Sequence, residues 1–262
     1  MNKIKALIKY QLRDYSHVFL IMYLCVYLLA VLTAISNSFL NAKNGSRVHF
    51  GSVSGLELIT AVTIFVVGLN SFKEDFKFFS ANGVSRKTQF FSTAAALGIL
   101  SAAFAFVDTV NCVIFKHAVH YFPWFLQMYG PRFGYSKSIF ESSSRLVLTP
   151  QILFENFLWL LFTYFFVSII GFFITILYYR MNKGLKIAVS IVVPTVLING
   201  IQPLDYYFFN GKITAFIQSF TKAAWGFANG YNPFIAMFSM FLFAAFFAAL
   251  AFLLARRATV KK

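Results

Sequence analysis

Long apolar stretches with almost no charge alternate along this chain with shorter polar segments. A helix needs about 20 mostly apolar residues to cross the hydrocarbon core of a membrane, and six stretches are long enough. We therefore expect transmembrane helices at 18–38, 52–72, 88–115, 151–179, 187–204 and 233–255. The predicted fold class is an all-α integral membrane protein, because a helix in lipid satisfies its own backbone hydrogen bonds.

Charge sets the expected orientation of these helices. Of the 23 lysines and arginines, 15 lie at the two termini and after the second and fourth stretches, and 8 lie in the remaining polar segments. Basic residues are enriched on the cytoplasmic side, so both termini are predicted to be cytoplasmic. The net charge of +15 is spread over separate loops. It favours attraction to anionic membrane lipids, and no nucleic-acid partner is expected.

The first 16 residues have the periodicity of an amphipathic helix. Lys5, Lys9 and Arg13 form a basic row at positions i, i+4 and i+8, with an apolar face beside it. Such a helix lies in the membrane interface, so we expect an interfacial helix at 1–16 and a transmembrane domain at 17–262. It is either a simple anchor or a contact point for a cytoplasmic subunit.

The cytoplasmic segment 73–87 is predicted to hold a short helix with an aromatic ridge. Phe72, Phe76 and Phe79 recur at i, i+4 and i+7, and Gly83 is a helix stop. Either this ridge is exposed to water and docks on another protein, or its phenylalanines are buried at the inner interface. The charged residues beside the ridge are Glu74, Asp75 and Arg86.

The expected outer face has two sizeable loops, 117–150 and 205–231. The loop 117–150 is predicted to fold into a cap over the outer ends of the helices. Separately, Ser85 and Asn232 are predicted N-cap residues of the third and sixth helices. The loop 205–231 is rich in aromatic residues and glycines, which favours a re-entrant segment between helices five and six. Pro194 is expected to kink the fifth helix.

Three acidic residues, Glu57, Asp108 and Glu155, are expected at one depth in the outer third of the membrane. Intramembrane charges usually face a cavity or a partner, so they predict an exit vestibule or a binding point for a cationic solute. The alternative is that each is hydrated or paired, for example with Arg145 or Lys116.

Enzyme motifs are missing from the sequence. There is no HExxH, no GxSxG and no grouping of histidine and cysteine with metal-ligand spacing. The stretch from Gly83 to Thr88 lacks the glycine before lysine that a phosphate loop requires. We therefore predict a chain that is not an enzyme, binds no metal and holds no cofactor of its own.

Six helices with both ends inside, an amphipathic start, the sequence NGVSRK at 82–87 and the aromatic insert resemble the permease subunits of ABC-2 type exporters from Gram-positive bacteria. Within that family, the chain is most similar to membrane subunits of peptide exporters, such as the exporter of phenol-soluble modulins. The resemblance implies two copies of a cytoplasmic ABC ATPase that binds ATP and Mg²⁺. It also implies a second permease, identical or related, and a location in the bacterial cytoplasmic membrane.

By the same resemblance, 73–87 is the coupling segment, with Phe76, Phe79 and Gly83 docking on the ATPase and the N-terminal helix alongside. The expected function is outward movement of an amphipathic substrate, such as a peptide, a lipid-like molecule or an antibiotic. One alternative is a non-transporting immunity or sensor protein that binds a peptide. Another is an ion-coupled secondary transporter that uses the three membrane acids.

Overall fold

The computed structural model describes residues 3–44, 55–118, 121–135, 147–196, 201–228 and 230–256. These residues form helices and connecting turns, and no strand occurs among them. The helices are α1 (Lys3–Asn44), α2 (Leu56–Asn70), α3 (Lys73–Ala81), α4 (Arg86–Ala118), α5 (Trp124–Tyr129), α6 (Pro150–Arg180), α7 (Lys183–Thr195), α8 (Ile201–Phe209), α9 (Lys212–Ala224) and α10 (Pro233–Arg256).

Five helical segments of the described chain are long and apolar enough to cross a membrane. They are Ile4–Ser36, Leu56–Ala81, Arg86–Lys116, Pro150–Arg180 and Pro233–Arg256. The all-α class and the multi-pass character of the protein are therefore confirmed. The six-helix topology and the side on which the termini lie stay predictions.

The predicted fifth transmembrane helix, 187–204, is only partly seen. Helix α7 ends at Thr195, and 197–200 lie outside the described residues. Its 13 residues extend over about 20 Å, which is less than the hydrocarbon thickness. Pro194 lies inside α7, and because 197–200 lie outside the described residues, the expected kink stays a prediction.

Between the end of α6 and the start of α10, the chain must nevertheless run from one end of the helix bundle to the other. Tyr179, at the end of α6, packs on Phe72 and Phe76 at one end of the bundle. Asn232, just before α10, contacts Arg132 beside α5 at the other end. We call the first end the basic end and the second the cap end. Whether the return runs through the membrane stays a prediction.

Helix α1 is one unbroken helix of 42 residues. No helix break therefore marks the predicted boundary near residue 16, and the interfacial position of the first part of α1 stays a prediction. No glycine or proline occurs between Lys3 and Asn44, so nothing in the local sequence interrupts the hydrogen-bond ladder.

Helix α6 is the centre of the bundle and packs on α2, α4 and α10, while α1 packs on α4 from outside. Helices α2 and α6 approach each other closely where Gly68 faces Gly171, and the two backbones touch. Small residues allow such approaches in membrane proteins, where van der Waals packing is the main attraction between helices.

Helix ends follow the predicted caps. The Thr88 amide donates to the Ser85 hydroxyl at 3.2 Å, and the Phe234 amide donates to Asn232 Oδ1 at 3.1 Å. Because each side-chain oxygen accepts from an otherwise unpaired first-turn amide, α4 and α10 begin where the sequence predicted.

Helices α8 and α9 form a hairpin that extends beyond the main packing core. Its turn contains Asn210 and Gly211, both with positive φ, and the Asp205 carboxylate caps α9. Asp205 Oδ1 accepts from the Ile213 amide at 2.9 Å, and Oδ2 accepts from the Thr214 amide at 2.6 Å. The expected hairpin within 205–231 therefore forms, while its re-entry into the membrane stays a prediction.

We predict that the Asp205→Ala variant will loosen the start of α9. Hydrogen exchange of the Ile213 and Thr214 amides is expected to accelerate about fivefold, because a carboxylate acceptor at a helix start is lost. Gln218→Ala, which removes an exposed polar side chain from the same helix, is the matched control. Unchanged protection in Asp205→Ala would show that this carboxylate does not hold the hairpin.

The same contact should depend on pH. Burial alone would raise the pKa of Asp205, but hydrogen bonds from Thr214 and Ile213 outweigh it and hold the pKa below the ordinary value. The ionised carboxylate therefore stabilises the hairpin above the ordinary pKa of about 4. This contribution should be lost as the pH falls through the lower pKa of the folded state.

Candidate functional site

A network of carboxyl and tyrosine side chains is buried where α1, α2, α4 and α6 meet. Asp108 is 5% exposed. Its Oδ1 accepts from the Tyr23 hydroxyl at 2.8 Å, and its Oδ2 accepts from the Tyr164 hydroxyl at 2.5 Å. Burial of an acid is tolerable only with such partners, so three helices are tied together at this point.

Glu57 belongs to the same network and is 1% exposed. Its main-chain carbonyl oxygen lies 3.3 Å from the Tyr164 hydroxyl, which joins it to Asp108. Its Oε1 accepts from the Trp124 amide at 3.2 Å, and the Tyr121 side chain lies beside it. Glu57 Oε2 has no hydrogen-bond partner among the described residues. The network therefore reaches from Tyr23 of α1 to Trp124 at the start of α5.

Glu155 makes a separate cluster. Its carboxylate lies 3.6 Å from Arg132 and accepts from Gln151 at 3.0 Å. Arg132 also donates to Asn232 and lies over the ring of Phe234, so it clamps the cap end of α6 to the start of α10. Among the described residues the partner of Glu155 is thus Arg132 and not Lys116, while Arg145 lies outside the described residues.

Only two of the three predicted acids therefore come together, since Glu57 and Asp108 share Tyr164 and Glu155 contacts neither. All three are 5% exposed or less, so they do not line an open vestibule in this conformation. The cap itself forms as expected over the described residues 121–135. Phe125, Leu126 and Tyr129 are fully buried there, with Trp159 of α6 against the first and third of them.

Of the two alternatives for the aromatic ridge of α3, burial of its phenylalanines is confirmed and exposure to water is wrong. Phe76 and Phe79 are each 1% exposed, and Phe72 is buried as well. Phe72 and Phe76 pack on Tyr179 with ring centroids 5.4 and 5.6 Å apart. The aromatic side chain of α3 that faces outward is Phe78, with 51% exposure. Phe72 and Phe76 face the end of α6, while Phe79 packs against Tyr10 of α1 at a centroid distance of 5.8 Å.

The start of α1 lies beside α3, as expected for the N-terminal helix. Tyr10 stacks on Phe78 at a centroid distance of 5.3 Å. Gln11 Nε2 donates to Asp75 at 2.7 Å and lies 2.8 Å from Thr93 Oγ1. Lys5, Lys9 and Arg13 remain exposed, as do Glu74 and Arg86. One buried glutamine therefore connects α1, α3 and α4.

A groove of about 330 Å³ lies between α1 and the end of α3. Gly83 has a φ of +68°, and the Val84 amide donates to the Phe79 carbonyl at 3.0 Å, which confirms Gly83 as the helix stop. Because the chain turns there, its backbone forms one wall of the groove. The lining residues are Ala6, Leu7, Tyr10, Phe78, Phe79, Asn82, Gly83 and Val84.

Sequence reasoning missed Tyr23, Tyr164 and Gln11, which complete the buried contacts. A signal was available, because polar side chains inside apolar helices usually find partners in the bundle. Within the described chain, no group of three histidine, cysteine or acidic residues could hold a metal ion.

No family model matches this chain, and searches of curated proteins and of solved structures find no significant match either. Fold and site together define an all-α, multi-pass membrane protein with a buried polar network and an apolar groove at its basic end.

Proposed function

We propose that this chain is the membrane subunit of an ATP-binding cassette exporter, which moves an amphipathic substrate outward with ATP hydrolysed by a separate subunit. The observation that carries the proposal is α3. It is a short charged helix that ends the second candidate transmembrane segment, Leu56–Ala81, and leads into α4 at the basic end, next to the start of α1 and an apolar groove. Such a connection suits a surface that receives force from a cytoplasmic partner.

The contacts of α3 supply a route for that force. Phe72 and Phe76 press on Tyr179 of α6, and Asp75 holds Gln11 of α1. A displacement of α3 would therefore move the central helix and the outer helix together. In this proposal the buried phenylalanines transmit motion inside the subunit, and exposed groups contact the partner.

The partner surface would consist of the outward ring of Phe78, the groove beside it and the exposed basic residues Lys5, Lys9 and Lys77. An aromatic side chain at the centre of an interface is a common source of binding energy, and surrounding charges steer association. We infer a partner ATPase in two copies and a second permease, identical or related, in the bacterial cytoplasmic membrane.

The Phe78→Asp variant is expected to weaken this contact. Co-purification with an ATPase encoded beside this chain, and stimulation of its ATP hydrolysis, should both fall about tenfold, since a central aromatic anchor is replaced by a charge. Leu185→Asp is the matched control, because Leu185 is similarly exposed, at 53%, and lies outside both the groove and the predicted transmembrane stretches. Both variants would be compared in detergent by gel filtration to verify folding.

Two results would contradict the proposal. One is Phe78→Asp binding and stimulating the ATPase as well as the unmodified protein does. The other is full transport activity of the isolated chain in liposomes without an ATPase.

A second candidate is ion-coupled transport, which the buried Glu57 and Asp108 network favours. Intramembrane carboxyl groups mark ion and proton pathways in many transporters. Substrate flux would then follow an imposed ion or proton gradient in liposomes that contain only this chain. It would stop in Asp108→Asn, whereas an ATP-driven exporter would retain its dependence on the ATPase.

A further inference from the structure

A cavity of about 380 Å³ lies at the basic end, between α1, the end of α2 and the start of α3. Because α1 packs mainly on α4, a cleft remains between α1 and α2 at this level. The volume lies within the range of about 300–1,000 Å³ that is typical of small-molecule sites. The charged residues that line the cavity are Asp14 of α1 and Lys73, Glu74 and Asp75 of α3.

This cavity gathers acidic side chains at the end of the bundle where basic residues are most frequent. Asp14, Glu74 and Asp75 are three of the eight acidic residues of the chain, and Lys73 alone opposes them in the described lining. None of the three carboxylates has a basic side chain within 4 Å among the described residues. The charges of Asp14 and Glu74 both act on Asp75, so the carboxylates repel each other. A cation among them would remove this repulsion.

Helix ends account for two of the acidic residues but not for the third. Glu74 and Asp75 lie in the first turn of α3, where the helix dipole favours an anion. Asp14 lies well inside α1, far from either end of that helix, and has no ion-pair partner in the described part of the chain. Its position is explained if a cation binds between α1 and α3.

A buried hydroxyl supplies a second, independent observation. Tyr15 lines the same cavity and is 5% exposed, and its hydroxyl has no hydrogen-bond partner among the described residues. The neighbouring Ser71 hydroxyl donates instead to the Gly68 carbonyl oxygen at 2.8 Å. The charges of Asp14 and Asp75 act on the Tyr15 side chain. An unpaired buried hydroxyl is costly, so this one points to a polar ligand.

Part of the lining is apolar, which narrows the class of the ligand. Val18 of α1 and Val66 of α2 both border the cavity, and they are 40% and 45% exposed. Burial of such surface favours a ligand with an apolar body. No group of three histidine, cysteine or acidic residues in the described chain could hold a metal ion. The lining therefore suits an organic cation that carries its own hydrocarbon part.

We propose that this cavity binds an amphipathic amine. Its ammonium group would lie among Asp14, Glu74 and the Tyr15 hydroxyl, because an ammonium has three donors and these groups offer acceptor oxygens. Its apolar chain would lie between Val18 and Val66. The ammonium of phosphatidylethanolamine fits less well, since the adjacent phosphate would meet the same carboxylates. Binding does not depend on the proposed transport function, whereas a role in loading the substrate from the predicted cytoplasmic side would rest on it.

The test uses the full chain, purified in a neutral detergent at low ionic strength. Thermal unfolding is measured with octylammonium, octanoate, ethylammonium or phosphatidylethanolamine. Octylammonium at about ten times its Kd is expected to raise Tm saturably, by about 3 °C, and the other three to have little effect. Equal stabilisation by octanoate or by ethylammonium would overturn the amphipathic amine as the ligand class. Equal stabilisation by phosphatidylethanolamine would overturn the soluble amine and assign the cavity to a lipid headgroup.

Charge variants test the acidic lining. Asp14→Asn combined with Glu74→Gln should weaken octylammonium binding about fivefold or more in isothermal titration calorimetry, since two partly screened charge contacts are lost. Lys73→Gln removes the opposing charge and should tighten binding about twofold. Lys87→Gln is the matched control, because this exposed lysine at the same end does not line the cavity.

Tyr15→Phe separates a role in ligand binding from a role in folding. The hydroxyl is unpaired without a ligand, so the Tm of the free protein should be unchanged or slightly higher, while octylammonium binding should weaken about fivefold. Tyr206→Phe, which removes an exposed hydroxyl from α8, is the matched control. Octylammonium binding that is unchanged both in Tyr15→Phe and in the variant without the Asp14 and Glu74 charges would overturn the proposal.

Discussion

Replacement of Gly171 by alanine is expected to lower the Tm of the purified protein by roughly 5 °C or more, because two helix backbones would be forced apart. A Cβ at Gly171 would overlap the Phe65 carbonyl oxygen and lie 3.1 Å from the Leu69 amide nitrogen. A Cβ at Gly68 would overlap the Ser168 carbonyl oxygen. Every one of these atoms belongs to a backbone, so no side chain can rotate away.

The stability cost of Gly171→Ala is expected to be at least about 1–3 kcal/mol, the usual range for an overpacked core. Gly98→Ala is the matched control. Its Cβ would lie 3.6 Å from the Phe165 ring, an ordinary contact, and α4 should gain a little helix propensity. An unchanged Tm in Gly171→Ala would mean that α2 and α6 do not cross at this distance.

The same substitution has a functional consequence under the proposed mechanism. Helix α2 leads directly into α3, and the contact between Gly68 and Gly171 holds α2 against the central helix. A gap between them would uncouple α3 from α6. Stimulation of a partner ATPase should therefore fall in Gly171→Ala even at temperatures where the variant remains folded, and it should persist in Gly98→Ala.

Replacement of Asp108 by alanine is the second substitution with a large expected effect. The hydroxyl groups of Tyr23 and Tyr164 would lose their acceptor inside the bundle. Each buried polar group left without a partner costs about 1–3 kcal/mol, and the empty space adds to it. A large loss of Tm and of purified yield is expected, measured by thermal unfolding in detergent.

Two further variants separate lost hydrogen bonds from lost charge. Asp108→Asn keeps one acceptor oxygen and nearly the same shape, so its loss of stability should be smaller than that of alanine. Tyr164→Phe removes one donor and leaves the carboxylate bound to Tyr23, so it should also be intermediate. If Asp108→Ala unfolds at the same temperature as the unmodified protein, the network does not hold these helices together.

The aromatic periodicity around α3 shows what residue spacing alone could predict and what it could not. Spacing correctly placed Phe72, Phe76 and Phe79 on one face and Gly83 at the helix stop. It did not decide whether this face is buried or exposed. Phe172 and Tyr179, about a hundred residues later in the chain, cover Phe72 and Phe76, and Tyr10 of α1 contacts Phe79; no local signal reports these contacts.

The three acidic residues show the same limit of prediction from sequence. The direction of each apolar stretch predicted that Glu57, Asp108 and Glu155 would be embedded, and all three are buried. Tyr164 contacts both Glu57 and Asp108, whereas Glu155 pairs with Arg132 of the cap. Those partners belong to other helices, so spacing along the chain could not select among them.

By itself, the sequence determined the long apolar helices, the caps at Ser85 and Asn232 and the stop at Gly83. These depend on hydrophobic periodicity and on hydrogen bonds between near neighbours, which any short segment carries with it. Only the tertiary structure decided which faces of those helices are covered, which partners the buried acids have, and how closely Gly68 approaches Gly171. Such contacts join residues far apart in the chain, so their geometry exists only when the helices pack.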